Sequence, residues 1–526
     1  MTLGHAPDTG EIFGAATELC SSRLSPTSVF TLLHRDCHRL FSDESFADLF
    51  TDRGRRSVSP RVVAVVMVLQ RLEGLSDREA VDRFTFDVRW KYAAGGLPME
   101  FPSFAHTVLV DMRARLARST KPTRIFDAVL EVAKSAGLVG RRRVLDSTPI
   151  YDAVATQDTV TMIQSAICGL LRVARPELSA ELRPLLRRDD EYDKPCKPTC
   201  EWDDAQARAS LVDALTRDAN ALLLALHDRT LLDGESFAAR LLATVVAQDI
   251  EVGEDGRFRI AIRVAPDRVI STVDPEARHG HKTAARGFDG YKGHVAIDPD
   301  SELVTSTTVT PGNVADGVVA GTLIADVIAE TPSAEASPSE PAEKLEVYGD
   351  ASYGTAAIIE KVEAAGGEAM VKVQGPVNKA GFYTKDRFDI DLGAGTVQCP
   401  AGQLVQIRRR RDGSGLASFA SSCGNCPLRA NCTTNEQGRS VTIHPSEHTI
   451  ATARKKQRDP AWKARYRGTR PKVERKLAHL MYRRHGGRRA RVRGRARIAA
   501  DFSLLAAAVN LRRLAELGVG MRHELS

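Results

Sequence analysis

The chain has 526 residues, 43% of them hydrophobic and 27% charged, which suits about two to four globular domains or one with large insertions and excludes a mainly disordered protein. No apolar run approaches the roughly 18–20 residues a bilayer span needs, MTLGHAPDTGEIFG lacks a signal-peptide pattern, and nine cysteines are too few for a disulfide scaffold, so a cytoplasmic protein is expected. The net charge of +7 is polarised: Arg454 to Arg497 holds 19 Lys or Arg against two acids, a formal +17, which leaves −10 on the other 482 residues and points to a polyanion bound at one place.

The first part, to about residue 135, reads as helical. Ser59 is an N-cap with Pro60 in the first turn, Ser76 is a second cap with Glu79 three residues on, and a further helix fits from near Ser103. This small all-α unit either meets DNA with an exposed face or serves packing alone. At Arg141 the pattern changes to a short extended run, Val144–Leu145, that ends in the polar cluster DST. Residues 157–248 return to helical spacing, with ALVDALTRDANALLLALHD the clearest stretch. FRIAIRVAPDRVISTVDP reads as strand, and GYKGHVAIDPDSELVTSTTVTPGN as two strands around a turn at Asp298–Ser301. TPSAEASPSEPAEK, residues 331–344, has the composition of a disordered loop. KLEVYGDASYG is a strand ending in a polar turn, followed by a helix over 355–365 and the strand EAMVKVQ. Strands that come as a set, interrupted by helices, predict a mixed α/β sheet carrying insertions.

Three acids stand out. Asp146 and Asp350 each close an apolar run, where a carboxylate projects from a rigid strand end into a crevice. Glu474 is nearly alone in the basic segment, among Arg470, Lys472, Arg475 and Lys476. Carboxylates of this kind hold Mg²⁺ for phosphodiester chemistry, with a basic groove to position the phosphate backbone. Singly, each also reads as a turn former or surface ion-pair partner. Lys292 and His294 alternate on one face of a strand, within reach of a DNA phosphate or the metal site, and Asn313 and Asp316 follow the next strand towards the same crevice; plain strand and turn polarity is the other reading. His279 and His281 resemble a metal pair without nearby partners.

Cys399, Cys423, Cys426 and Cys432 fall within 34 residues, with Gly and Pro at the turns. A CxxC turn and two further thiolates make a closed tetrahedral site, so a structural Zn²⁺ is expected, against a set of free buried thiols. Cys196 and Cys200 form a weaker pair, and Cys20, Cys37 and Cys168 read as ordinary thiols.

The ordered set VLDST, GYKGH, YGDASYG, RPKVERKLAHL, GGRRARVRGRARI and AAAVNLRRL resembles bacterial insertion-sequence transposases of the DDE class. The nearest likeness is to the insertion sequence eleven-eighty-two group, within the assemblage around insertion sequences four and five, and it covers nearly the whole chain. The resemblance implies an α/β fold: an RNase H-like catalytic domain over 139–515, with a helical insertion at about 157–250 and a Cys-rich insertion at about 385–445. A helical DNA-binding domain over 1–138 precedes it and a tail over 516–526 follows. It places Asp146 on the first strand, Asp350 on the fourth and Glu474 on a later helix, all three holding Mg²⁺ or Mn²⁺. Related enzymes often carry Tyr, Arg, Glu and Lys at fixed spacing around the last acid. Arg470 fits, as a DNA-phosphate contact. Arg467 stands at the Tyr position with Tyr466 one place off, and Met481 stands at the Lys position, so those two roles are not carried over.

The expected activity is a transposase that binds element ends, cuts by metal-dependent hydrolysis and joins the freed 3′ ends to target DNA. Its partners would be double-stranded DNA, contacted by Lys292, His294, Arg467, Arg470, Arg488, Arg489, Arg491 and Arg493, and further copies of the chain in a synaptic assembly. A non-catalytic DNA-binding derivative and a nuclease without strand transfer are the alternatives.

Overall fold

Capping residues set out the first part of the chain. A computed structural model describes every residue except 6–14, 153–155, 189–191, 194–195, 284, 330–342, 377–380 and 520–526. The loop expected over 331–344 therefore lies, up to residue 342, outside the described residues, as does most of the expected tail. Seven helices come first: α1 (Ala15–Arg23), α2 (Val29–Leu40), α3 (Pro60–Glu73), α4 (Asp77–Phe86), α5 (Val88–Ala93), α6 (Thr107–Arg118) and α7 (Arg124–Ser135). The Ser59 side chain accepts from the Val62 amide, and Ser76 and Glu79 form a reciprocal capping box. α3 is buried from Pro60 to Leu72, because its apolar residues form a run rather than a stripe. The helix expected from Ser103 begins at Thr107; the Ser103 hydroxyl is engaged with Thr85 instead, at 2.7 Å.

β1 (Arg142–Tyr151) opens the sheet. The chain then leaves through α8 (Thr159–Val173), α9 (Pro176–Leu182), α10 (Ala205–Leu226), α11 (Asp233–Asp249) and the hairpin β2 (Ile250–Val252) and β3 (Phe258–Ile260). The long strand expected after Phe258 stops at Ile260: Ala261 still donates to the Asp249 carbonyl, but Ile262 is 92% exposed, and Val269 forms an isolated bridge to Arg278 instead. The sheet resumes with β4 (Arg278–Thr283), β5 (Arg286–Ile297) and β6 (Val304–Pro311). Next come α12 (Ala320–Leu323), α13 (Ala325–Ala329), β7 (Glu346–Gly349), α14 (Ala356–Ala364) and β8 (Glu368–Val371).

β5 pairs antiparallel with β1 on one side and with β4 and β6 in succession on the other, while β1, β7 and β8 run parallel. Gly290, where β5 passes from β4 to β6, has φ +135°, and a Cβ there would meet the Ile150 carbonyl at 2.4 Å. An antiparallel β6–β5–β1 half joined to a parallel β1–β7–β8 half is a mixed α/β arrangement consistent with an RNase H-like core.

Two three-stranded sheets follow: β9 (Asp389–Asp391), β10 (Thr396–Gln398) and β11 (Leu404–Gln406), then β12 (Arg408–Arg409), β13 (Gly415–Ser418) and β14 (Ser440–Ile443). The chain closes with α15 (Glu447–Lys456), α16 (Pro460–Thr469), α17 (Pro471–Leu480) and α18 (Arg495–Glu516).

Both faces of the sheet are covered, so consecutive β1 residues are buried on opposite sides. Val144 packs with α17, α18 and the N-terminal helices in one continuous core, and Leu145 packs with α12 and α14 in another. α18 bridges the two ends of the chain. Its Asn510 side chain accepts from the Val304 amide at 2.8 Å and donates to the Val304 carbonyl at 2.7 Å, which completes the free edge of β6. The sheet begins at Arg142, and the packing runs across from the N-terminal helices to the sheet.

Candidate active site

Asp146 sits within β1, opposite Val295 of β5, rather than at a strand end: the alternation continues through buried Ile150 and carries the strand on to Tyr151. β7 runs alongside in parallel, Val144 beside Tyr348, so Asp350, in the turn just after β7, comes level with Asp146. The Ser147 amide donates to Asp146 Oδ1 at 2.8 Å, and Arg470 Nη2 lies 3.0 Å from Oδ2. Burial raises the Asp146 carboxyl above its usual range; Arg470 opposes this and Asp350 reinforces it.

Arg470 stands at the break between α16 and α17, where Pro471 starts a new first turn. Its side chain is 8% exposed, and its Nη1 lies 3.5 Å from Glu474 Oε1. One guanidinium therefore joins an acid of β1 to an acid of α17. Burial works to lower the Arg470 guanidinium, and Asp146, Tyr466 and Asp350 together outweigh it, holding the group above its ordinary value. The expectation that Arg470 meets DNA phosphate is corrected: its Nε and Nη1 are covered and make no hydrogen bond, so it has no surface to offer DNA. Glu474 itself is 64% exposed in side chain. Tyr466 is buried one turn before Arg470; it stacks on Trp462 and donates to the Gly349 carbonyl at 3.2 Å. Arg467, at the family's Tyr position, is exposed, and Met481, at its Lys position, is buried.

The neighbouring face of the sheet carries a second network. Ser147 Oγ donates to Asp316 Oδ2 at 2.6 Å, Lys292 Nζ lies 2.9 Å from Asp316 Oδ1, and Lys292 also donates to the Val314 carbonyl at 2.9 Å. His294 is fully buried, with Nδ1 3.0 Å from the Tyr353 hydroxyl and Nε2 2.9 Å from Thr310 Oγ1. Burial pushes the imidazole down to about 4, so it is neutral near pH 7. These placements correct two expectations. His294 has no surface to offer DNA, and the Lys292 ammonium is spent within the protein. Tyr353 is also fully buried; after burial itself, Asp316, Asp146 and Asp350 are what hold its hydroxyl protonated.

Sequence reasoning missed Ser147, Tyr353 and Tyr466. The first two flank the quoted acids in DST and GDASYG; Tyr466 was set aside for being one place off.

The basic stretch after α17 is tied down by its backbone. The Tyr151 amide donates to the Arg488 carbonyl and the Ala490 amide to the Tyr151 carbonyl, both at 2.8 Å, and the Gly494 amide donates to Asp274 at 3.0 Å. Arg491, which is exposed, donates to the Leu75 carbonyl. Arg467, Arg488, Arg489 and Arg493 are exposed, with no acidic partner within ion-pair distance among the described residues.

Cys399, Cys423, Cys426 and Cys432 line one small cavity of about 20 Å³ in the Cys-rich insertion, and all nine cysteines are free. Burial raises the Cys432 thiol, and the Cys423, Cys399 and Cys426 thiols add to this. Among the described residues, no three or more His, Cys, Asp or Glu side chains are grouped so as to hold a metal ion as they stand. No described helix is long and apolar enough to cross a membrane.

Residues 398–515 match the family described as a transposase DDE domain, and residues 33–115 match that described as a transposase domain (DUF772). The first span contains Arg470, Glu474 and the four cysteines; the second covers most of the N-terminal helices. Together they support a transposase-family protein and are consistent with an insertion-sequence transposase. Asp146 and Asp350 lie outside both spans, and Asp146 joins the matched region through Arg470. No curated protein and no solved structure matches the chain.

Proposed function

We propose that the chain is a DDE transposase of the insertion sequence eleven-eighty-two group, which binds the ends of its element, cleaves them and joins the 3′ ends to target DNA. The observation that carries this reading is the single buried guanidinium of Arg470 shared by Asp146 and Glu474, with Asp350 level with Asp146 on the next strand. The donors fit the cation the chemistry needs, because Mg²⁺ takes oxygen ligands and is commonly held by one or two carboxylates plus substrate phosphates. Asp146, Asp350 and Glu474 would hold Mg²⁺ or Mn²⁺, which supplies a Lewis acid for phosphodiester attack by water and then by the freed 3′-hydroxyl.

The chain's own residues keep the acids in place and present the DNA. Arg470 fixes Asp146 and draws Glu474 towards it. Along β1, the Arg488–Ala490 segment is pinned five residues beyond Asp146, a distance of about 17 Å at roughly 3.3 Å per residue. Arg467, Arg488, Arg489 and Arg493 are the exposed cations that would line the DNA path. In the Cys-rich insertion, four thiolates around a cavity of one-atom size would hold a structural Zn²⁺. Two ends must be synapsed before joining, so a homo-oligomer on DNA follows from the mechanism.

Replacing Asp350 with Ala is expected to abolish cleavage and strand joining while binding to the element ends survives in a gel-shift assay; normal cutting by that variant would refute the assignment. Cleavage by the unmodified protein without joining would favour a nuclease. Changing Arg488, Arg489 and Arg493 together to Ala should shallow the log–log salt dependence of duplex binding by roughly two to three units, at about 0.9 per phosphate contact. An unchanged slope would move the DNA path elsewhere.

A further inference from the structure

We propose that the Lys292–Asp316 pair is a positioning device for Asp146, acting through Ser147 and not through DNA; this rests on the reading of Asp146 as a catalytic acid. Ser147 is held at two points that do different things. Its hydroxyl donates to Asp316 at 2.6 Å, and its amide donates to Asp146 Oδ1 at 2.8 Å. Fixing the hydroxyl on one face of the sheet therefore fixes the backbone group that orients the carboxylate on the other. A strand alone does not hold that amide so closely, because Ser147 and Asp146 project to opposite faces.

Asp316 is held in turn. It is 8% exposed, both of its oxygens are engaged, and the Lys292 ammonium that pairs with it is anchored to the Val314 carbonyl as well. A buried ion pair is weak evidence for stability, because desolvating two charges offsets most of their attraction. What this pair does supply is a rigid acceptor 169 residues along the chain from Ser147, delivered by the turn after β6 to the strand that carries Asp146. His294, beside Ser147 in the sheet, is taken up by Tyr353 and Thr310, and the Tyr353 hydroxyl also interacts with Ser147. Lys292 and Asp316 are positioning residues and touch no reacting atom.

The test uses the full chain and six variants, Lys292→Met, Asp316→Asn, their double mutant, Ser147→Ala, Ser147→Thr and Asp146→Asn. Three quantities are read: single-turnover cleavage of a plasmid carrying the DNA that flanks the coding sequence, Mn²⁺ binding to the free protein by electron paramagnetic resonance, and the salt dependence of binding to a random-sequence duplex. Lys292→Met, Asp316→Asn and Ser147→Ala should each lose about tenfold in cleavage rate, and the double mutant should lose no more than either of its singles, because the pair acts as a unit. Mn²⁺ affinity should fall severalfold in Asp316→Asn and Ser147→Ala, and the salt slope should stay at the wild-type value throughout. Ser147→Thr, which keeps the hydroxyl, should restore both cleavage and Mn²⁺ affinity, separating positioning from a general loss of folding.

A slope shallower by about one unit in Lys292→Met would make Lys292 a phosphate contact and overturn the proposal. Wild-type cleavage and Mn²⁺ affinity in Asp316→Asn would overturn it equally, as would multiplicative losses in the double mutant. Failure of the parent reading looks different: Asp146→Asn itself would then cleave and bind Mn²⁺ as the wild type does.

Discussion

Among the described residues, the helical insertion, α8–α11, closes on 21 buried apolar residues of its own and Val269 beyond it, whereas the Cys-rich insertion, β9–β14, closes on eight, two of which are Cys423 and Cys432. Their necks are nevertheless alike. In the first, Asp249, at the end of α11, takes Arg268 at 2.6 and 2.7 Å and the Thr159 hydroxyl at 2.9 Å, so one buried carboxylate ties entry to exit. In the second, Glu447 takes Lys385, Arg454 at 2.9 Å and the His444 amide at 2.9 Å. A carboxylate clamp can anchor any loop to a sheet. It cannot supply the apolar burial that holds the loop's own interior, and small units that lack it need a staple.

The largest effect should therefore come from the cysteines. Structural Zn²⁺ in small domains contributes on the order of 10 kcal/mol of apparent free energy, more than eight buried side chains leave after the entropy of ordering two three-stranded sheets. Freshly prepared, reduced protein is expected to hold one zinc per chain. Chelation, or Cys423→Ser with Cys426→Ser, should release protection from hydrogen exchange across 388–443 and leave 159–249 untouched. Protein free of zinc with the insertion fully protected would remove the staple from the comparison.

The reverse experiment weakens the other core. Leu215 is fully buried in α10, and Leu215→Ala should cost about 2–5 kcal/mol of local stability. Exchange should rise in α8, α10 and α11 while zinc content and duplex binding hold. Loss of protection in both insertions would show that they share one cooperative unit.

The same contrast explains what could be read along the chain. Caps, periodicity and Cys spacing are local, so the N-terminal helices and the helices within 157–250 were legible in the sequence. Contacts across the sheet have no spacing rule. Nothing near Ser147 announces Asp316 as its partner, and the reading that led Asp316 to the crevice of Lys292 and His294 is silent about Tyr353 covering it. The helix phase around Glu474 misled for another reason. Tyr466 and Arg470 are four apart and share a face of the helical turn, whereas Arg467 is exposed; the fixed spacing of relatives falls on Arg467. Asp146 looked like a strand end because DST is polar, yet pairing with β5 carries the strand five residues further.

The smallest effects should come from the necks, where each clamp can be loosened by a change that nearly preserves shape. Asp249→Asn and Glu447→Gln each remove one charge from a buried, hydrogen-bonded site, with an expected cost of about 1–3 kcal/mol. Each should loosen only the insertion it anchors. The two clamps also allow a test without mutation. Burial works to raise the Glu447 carboxyl, and Lys385, the His444 amide and Arg454 outweigh it, so the group lies below the usual carboxylate range. In the folded protein Glu447 stays ionised at a pH where the unfolded chain already binds a proton. Its contribution is complete above the unfolded value of about 4.3 and is lost as pH falls through the folded one. Hydrogen exchange compared near pH 6 and pH 4, on protein whose zinc content is checked at both, should show opening of 388–443 that is steeper in the wild type than in Glu447→Gln, where the titrating group is gone. Equal steepness in the two would mean that acid acts on the thiolates alone and that the clamp adds nothing to what the metal already holds.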